Sequence, residues 1–597
     1  MKELLLGNEA IARGAWEAGV KFAAGYPGTP STEILETLAK KYPEIDAQWS
    51  ANEKVAFEEG MGAAIGGLRV LVTMKMVGLN VAADAFMVFP YSGTNGGFVV
   101  ISADDPGMHS SQNEQDNRYL ALMAKVPVLE PSDAQECKDF IKLGMEISEQ
   151  FSVPVMVRTT TRLAHHKGLV EMGERVEAPQ REFVPDPRRF SVPIYRTLLR
   201  PGVEKRLEAL RAYAEITPIN RIEWGVTSQG AGDPSSTARR PVGFVTCSIA
   251  YQYVREVMPE ASVFRLGLTH PLPQRALQAF CAAHETVYVV EEGEPFIEEA
   301  MKAMGITNLV GKRLFGVIGE YSPERIARAI GVSVPEKPDY SQEITLLPRP
   351  PMFCVGCGHR TVFDTLRQLK VTVAGDIGCY TMGALPPYEA SHTTFCMGAS
   401  IGTAFGLERA GHRRTVAIIG DSTFVHAGIP SLIDAVYNGS SLTLIILDNA
   451  TTGMTGQQPH PAAGTTLRGK PAPKLDLEGL VRAAGVKQVQ VVDTWQRRDV
   501  VRAIREAVSY EGPAVVIAQG PCMRLPEMKL SERGEKPYFV DEAVCTKCDA
   551  CFKVWCPAIT RTAQGFPVID ALECTACTVC AQVCPADAIG PMGGGCP

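Results

Sequence analysis

Seventeen cysteines occur in the 597-residue chain, and eight of them form two spaced runs near its end. The first is Cys545-x2-Cys548-x2-Cys551-x4-Cys556-Pro557, and the second, 29 residues later, is Cys574-x2-Cys577-x2-Cys580-x3-Cys584-Pro585. Three thiolates so closely spaced surround one corner of an iron–sulfur cube. A fourth, after a longer gap and before proline, reaches the neighbouring cluster. The spacing therefore assigns Cys545, Cys548, Cys551 and Cys584 to one [4Fe–4S] cluster, and Cys574, Cys577, Cys580 and Cys556 to the other. Zinc also uses CxxC pairs, but it has no reason for three linked cysteines and an exchanged fourth. The first run has four residues rather than three before its last cysteine, which alters the loop and not the ligation. Two such clusters conduct single electrons, so another part of the chain must generate them.

A second constellation supplies that part. Ala417-Ile-Ile-Gly420-Asp421-Ser422 reads as a strand ending at the start of a helix. Twenty-eight residues after Asp421, a second strand ends in Asp448-Asn449, followed by Ala-Thr451-Thr-Gly453-Met454-Thr455. Both strand ends belong on the carboxyl edge of one parallel sheet, where ligands bind in such folds. Asp421, Asn449, a carbonyl near Thr451, two phosphate oxygens and a water complete an octahedral Mg²⁺ shell. A Gly-Asp-Ser turn alone is common; followed at this spacing by Asn and Gly it is similar to the thiamine-diphosphate motif. Upstream, Cys354-Val-Gly356-Cys357-Gly358-His359 has glycine on both sides of Cys357, which suits a backbone close to a ligand. Asp376-Ile-Gly378-Cys379 and Met397-Gly398 are glycine-rich turns entering helices, which suit a diphosphate at a helix N-terminus. Each of these cysteines alone reads as a small buried apolar residue; together they read as a cofactor cradle.

Near the start, Gly25-Tyr-Pro-Gly-Thr29-Pro30-Ser31-Thr32 follows a strand-like Val20–Ala24 and opens a helix capped by Ser31 or Thr32. Asn52-Glu53 begins another helix. Alone, these are a turn with a cap and a solvated helix start favoured by the dipole.

The elements that must position these residues follow from the patterning. Strand-like runs at 69–73, 98–102 and 153–158 alternate with helical segments. Residues 1–180 therefore form an α/β domain with a parallel, doubly wound sheet. Residues 181–240 read as a linker, with an exposed loop at 228–240. The βα pattern resumes over 241–335, a Pro-rich linker covers 333–351, and a diphosphate/Mg-binding α/β domain spans 352–530. Residues 521–538 read as charged and extended, and 536–597 as the two-cluster domain. Met1 to Val20 is interrupted by Lys2, Glu3, Glu9, Arg13 and Glu17, and reads as an amphipathic helix rather than a leader. Apolar runs stay below the roughly 18 residues of a membrane span. Formal net charge is −7, without the basic footprint of a nucleic-acid binder. The expectation is a cytoplasmic protein with reduced thiols, no nucleic acid and no membrane.

Taken in order, these motifs resemble those of the 2-oxoacid:ferredoxin oxidoreductases over nearly the whole chain. Asp104-Asp-Pro-Gly-Met-His109 to Arg118 and Gly453-Met-Thr-Gly456-Gln add to the likeness. It is nearest to large alpha subunits of the branch that takes aryl 2-oxoacids such as indolepyruvate and phenylpyruvate. The one departure noted is Val355, where the family commonly has proline. The resemblance implies that 1–180 is the pyrimidine-binding domain, 241–335 a transketolase C-terminal-like domain and 536–597 ferredoxin-like. It implies that Glu53 bonds N1′ of the aminopyrimidine of thiamine diphosphate, that Thr29 meets the substrate carboxylate, and that Arg118 is its charge partner. His109 and Lys75 are further active-site candidates. It also implies Mg²⁺, coenzyme A as co-substrate, a small beta/gamma-type subunit, an external ferredoxin and a dimer of heterodimers. The implied reaction is oxidative decarboxylation to acyl-CoA and CO₂, with electrons leaving singly through two [4Fe–4S] clusters. A non-oxidative decarboxylase needs no clusters. An electron-transfer subunit with a vestigial thiamine fold would not need Glu53, Asp421 and Asn449. Pyruvate, 2-oxoglutarate and branched-chain acids stay open as substrates, because the pocket residues that decide are not identifiable.

Overall fold

The computed structural model describes all residues except 191–194, 228–229, 232–238, 334–349, 413 and 594–597. The chain divides into two compact units, Met1–Tyr340 and Ser341–Pro597. The fold is α/β: among the described residues it contains three largely parallel sheets and a small two-ribbon module.

In the first unit, one sheet has seven strands, ordered Leu268–His270, Val128–Leu129, Val155–Thr160, Phe98–Asp104, Val70–Lys75, Phe22–Gly25 and Asp46–Trp49. All pairs are parallel except the first, where Leu268–His270 runs antiparallel to Val128–Leu129. Val70–Lys75, Phe98–Asp104 and Val155–Thr160 are buried along their whole lengths, as strands covered on both faces must be. On one face Phe57, Phe86, Phe89 and Phe98 pack edge to face. The second sheet orders Leu309–Val310, His284–Val290, Arg240–Cys247, Ser262–Leu266 and Arg221–Glu223, the last antiparallel. Strand Leu268–His270 leaves this sheet to edge the first, so the two are interlocked.

Several segments differ from the sequence expectation. Met1–Val20 is not one helix. Lys2–Leu6 is a strand paired antiparallel with Lys167–Glu171, and the helix starts at Gly7. A Cβ on Gly7 would lie 2.1 Å from the Leu163 carbonyl oxygen, so the chain turns where only glycine fits. The span 181–240, read as a linker, contains the 19-residue helix Arg196–Ala214. Its buried stripe is Val203, Leu207, Leu210 and Ala214, diluted in the sequence by an arginine- and glutamate-rich outer face. Most of 228–240 and of 333–351 lies outside the described residues. Within 521–538 the chain makes two short helical turns, Pro526–Met528 and Leu530–Arg533, instead of running extended.

In the second unit, five parallel strands are ordered Thr372–Ala374, Thr415–Gly420, Thr443–Asp448, Ala514–Gln519 and Gln488–Asp493. The cysteine module is two antiparallel ribbons, Tyr538–Val540 with Ile589–Pro591 and Ile559–Arg561 with Pro567–Ile569. No helix among the described residues is long and apolar enough to cross a membrane.

Candidate active site

In the first unit the candidate residues gather at the carboxyl ends of the central strands. Asn52 caps helix Glu53–Ile65 by accepting from Val55 N–H at 2.9 Å. Glu53 is 5% exposed, and a Cβ on Gly78 would lie 2.7 Å from its carboxyl oxygen, so glycine there makes room for the carboxyl. Ser31 does not cap the next helix through its side chain. Its Oγ donates to the Gly28 carbonyl (2.8 Å), and Thr32 Oγ1 accepts from Gly28 N–H (3.1 Å), so the turn carrying Thr29 is stitched from within. Ser110 Oγ lies 3.2 Å from the Thr29 carbonyl oxygen. His109 Nε2 lies 2.5 Å from Glu320, which also accepts from Arg162.

Arg118 corrects an expectation. It is fully buried and donates to Asp116, to Glu291 (2.8 Å) and to the carbonyls of Glu292 and Glu294 (3.0 and 3.2 Å). Arg158, also buried, donates to Asp104 (2.6 Å) and Glu130 (2.7 Å), and its side chain approaches Asp116. The two arginines and four acids form a closed network joining the first sheet to the turn after strand His284–Val290. Burial and the neighbouring Asp116 raise Asp104 to about 6, whereas Arg118 and Arg158 hold Asp116 low against its own burial. Arg118 thus has no donor left for a substrate carboxylate.

In the second unit, Gly420 and Asp421 end the strand Thr415–Gly420 as expected. Asp421 is buried, and one carboxyl oxygen accepts from Ala450 N–H (2.8 Å), which ties it to the loop after Asn449. Asn449 Oδ1 accepts from Thr451 N–H (3.1 Å), Ser422 Oγ meets Thr452 Oγ1 (2.9 Å), and Thr455 Oγ1 donates to Gln458. Asp448 is raised by burial and by the charge of Asp421. Two buried acids at one sheet edge suit a divalent cation, so the donor set fits Mg²⁺ and its diphosphate. Burial lowers His359, at the start of helix His359–Leu369, to about 4, opposed by Asp421. His460, which the sequence reading passed over, places Nε2 3.2 Å from Asp421.

The turns at Asp376 and Gly398 do something different from cradling a diphosphate directly. The Asp376 carboxylate accepts from the N–H groups of Gly398 and Ser400, both at 2.8 Å. The anion at the start of helix Ala399–Arg409 is therefore the protein's own. Gly398 has φ +85°, and Gly356 has φ +69°. Gly378 packs against Tyr380, Met397 is half-buried and Met454 is exposed.

The thiols form three sets. Cys545, Cys548, Cys551 and Cys584 line one pocket. Cys556, Cys577 and Cys580 line another, with Cys574 within electrostatic reach of all three. The third set joins Cys354, Cys357, Cys379 and Cys522: Cys354 and Cys379 are each within electrostatic reach of both Cys357 and Cys522. Burial pushes Cys357 up to about 12 and Cys379 to about 11. Cys522 went unnoticed in the sequence because its partners lie 143 to 168 positions away; its N–H donates to the Asn449 carbonyl (3.0 Å). A Cβ on Gly453 would lie 3.5 Å from Asn449 Nδ2 and 3.7 Å from Cys379 Sγ, so this set borders the loop after Asn449. Arg360, also unforeseen, donates to the carbonyls of Phe353, Cys354 (2.9 Å) and Trp555, fastening this loop to the residue before Cys556. Among the described residues no three His, Cys, Asp or Glu side chains converge closely enough to hold a single metal ion.

The two cysteine runs repeat one backbone. Lys547 and Ala576 have φ +55° and +53°, and Asp549 and Thr578 have +62° and +65°. Left-handed residues at matching positions turn successive thiols to one side. Trp555, φ +53°, absorbs the extra residue of the first run, whereas Val583 before Cys584 has φ −101°.

Family models match in the same order. Residues 13–203 match the thiamine diphosphate-binding domain of pyruvate flavodoxin/ferredoxin oxidoreductases, 376–518 the C-terminal TPP-binding domain of thiamine pyrophosphate enzymes, and 567–590 a 4Fe-4S binding domain. Fold, site and these matches define a thiamine-diphosphate-dependent oxidoreductase with iron–sulfur. The indolepyruvate oxidoreductase subunit IorA of Archaeoglobus fulgidus is 40% identical over 625 residues, covering 99% of this chain and 97% of that one. Its counterpart in Pyrococcus horikoshii is 38% identical over 635 residues, covering 98% and 96%. The chain belongs to this family. A 2-oxoglutarate:ferredoxin oxidoreductase from Magnetococcus marinus, solved with 2-oxoglutarate, coenzyme A and succinyl-CoA bound, matches at 17% identity and a TM-score of 0.46, covering 55% of this chain and 65% of that one.

Proposed function

We propose that this chain, with a small partner subunit, oxidatively decarboxylates aryl 2-oxoacids. A 2-oxoacid and coenzyme A would give an acyl-CoA, CO₂, a proton and two electrons, which leave singly for an external ferredoxin. The observation that carries the reading is the adjacency, within one unit, of the Asp421–Asn449 metal loop and the Cys354, Cys357, Cys379 and Cys522 set. A thiamine enzyme that only decarboxylates has no use for thiols at that rim. The aryl preference is supported by relatives about 40% identical that are named for indolepyruvate.

Thiamine diphosphate, when bound, supplies the carbon nucleophile and the electron sink for loss of CO₂. Asp421, Asn449 and the Thr451 carbonyl would hold Mg²⁺ and through it the diphosphate, with His359, buried and neutral, beside them. Glu53, its carboxyl buried at the start of helix Glu53–Ile65, would hydrogen-bond N1′ of the aminopyrimidine. Thr29 orients the acid end of the substrate. We infer three [4Fe–4S] sites rather than two. Cys354, Cys357, Cys379 and Cys522 hold the first, Cys556, Cys574, Cys577 and Cys580 the second, and Cys545, Cys548, Cys551 and Cys584 the third. Cys357 and Arg360 line the cavity of the second site, which gives the first two sites a shared wall. Taken as domains, these assignments follow 1–180, 241–335, 352–530 and 536–597.

The test is anaerobic viologen reduction by the chain co-purified with its small subunit, with and without coenzyme A, on indolepyruvate, phenylpyruvate, pyruvate and 2-oxoglutarate. Coenzyme-A-dependent reduction with the two aryl acids is the expected result. Reduction mainly with pyruvate or 2-oxoglutarate overturns the aryl assignment. No reduction with any acid, cofactors loaded, overturns the reaction class.

A further inference from the structure

With Arg118 closed off, the cation that meets the substrate's carboxylate has to come from elsewhere in the first unit. Lys75 ends strand Val70–Lys75 at the carboxyl edge of the sheet and is 9% exposed. A Cβ on Gly28 would lie 3.0 Å from its Cβ, so Lys75 lies directly under the turn that carries Thr29. Its ammonium donates to the Ser110 carbonyl and to Ser110 Oγ (3.0 Å), and that hydroxyl is 3.2 Å from the Thr29 carbonyl oxygen. Among the described residues no carboxylate lies within ion-pair distance of it. The nearest acid in electrostatic terms, Asp105, already accepts from the N–H groups of His109 and Ser110 and from Ser111 and Thr161 hydroxyls. The other basic side chains of this edge, His109 and Arg162, both face Glu320.

A buried ammonium with two acceptors for three hydrogens and no counter-ion is costly unless an anion completes it. A 2-oxoacid brings such an anion two bonds from its reacting carbonyl oxygen. We propose that Lys75 binds the substrate carboxylate beneath the Gly28–Thr29 turn and so selects 2-oxoacids over neutral ketones and aldehydes. The proposal rests on the oxoacid reading above. Ser110 fixes the ammonium, and Gly28 keeps the approach free of a side chain.

The test crosses two ligands with two proteins. Indole-3-propionate and its neutral amide are titrated calorimetrically into the intact two-subunit enzyme, native and Lys75→Met. In the native enzyme the acid should bind more tightly than the amide. Lys75→Met should weaken the acid about ten- to a hundredfold, as loss of a charged hydrogen bond implies, and the amide about twofold at most. The KM for indolepyruvate should rise in parallel, with a smaller change in kcat. Equal weakening of acid and amide, or none, overturns the proposal and leaves Lys75 as a clamp on the loop carrying Ser110. A native enzyme that does not distinguish acid from amide overturns it too. Should Lys75→Met fail to fold, Lys75→Gln gives the same comparison. These outcomes are separate from failure of the oxoacid reading, which shows as no viologen reduction by the native enzyme with any acid.

Discussion

The first unit carries, beside its site, a closed set of charges: Arg118 and Arg158 against Asp104, Asp116, Glu130 and Glu291, with each guanidinium hydrogen-bonded to two of the acids. The second unit gathers groups of one kind: two acids, Asp421 and Asp448, at one sheet edge, bonded to backbone N–H groups, His460 and Gln519 rather than to an arginine or lysine, and twelve thiols in three sets. The charges of the first unit and the two acids of the second are buried, whereas most of the thiols are partly exposed, and both collections would read as functional clusters by composition alone. They differ in balance. Opposite charges that satisfy one another hold elements together, whereas acids and thiols left to repel one another mark where cations belong.

The contrast can be broken most sharply at Cys522. Cys522→Ser should lower bound iron by about a third and cut viologen reduction at least a hundredfold, with thiamine diphosphate still bound. Unchanged iron would show that this set holds no cluster and is only a packed wall. Arg118→Met tests the other side. Leaving Asp116 and Glu291 unpaired should cost about 3–5 kcal/mol of stability, seen as a lower thermal transition, while KM in whatever enzyme remains folded should be unchanged. A selective rise in KM would return Arg118 to the substrate.

The smallest effect concerns an exception within the closed unit. His270 is 8% exposed, its Nε2 has no partner, and burial, with Arg211 and Lys125 nearby, lowers it to about 4. Because the unfolded chain then binds the proton more readily than the folded one, its contribution is full above about pH 6.5. It is lost as pH falls toward 4, up to about 3 kcal/mol. Asp104, raised to about 6, acts in the opposite direction over the same range. The informative quantity is therefore the difference between native protein and His270→Phe, whose unfolding should be less acid-sensitive. Equal acid sensitivity would contradict a buried neutral ring.

The legible parts of this molecule were those whose partners are close in sequence. The eight terminal cysteines announce themselves within 40 positions, and Asp421 and Asn449 within 29. The central strands were legible because strands buried on both faces are apolar throughout. Arg118 was misread because its decisive partners lie more than 170 positions away, at Glu291, Glu292 and Glu294, and no local pattern shows that they close on it. Cys522 was missed for the same reason. Lys2–Leu6 was taken for helix because its strand partner is 165 residues away, and five residues next to a true helix carry too little periodicity to tell the two apart.

The exchange of Cys584 into the company of Cys545, Cys548 and Cys551 bears on how the protein is made. A ribosome delivers the first three thiols well before the fourth, so that cavity stays one donor short until 33 further residues have emerged. By then all three large sheets and the loop after Asn449 have already left the exit tunnel. Loading of the proposed cluster there would thereby wait until after the parts that feed the wire can fold, and a nascent chain that stalls earlier would carry no completed cluster at this site able to pass electrons to oxygen.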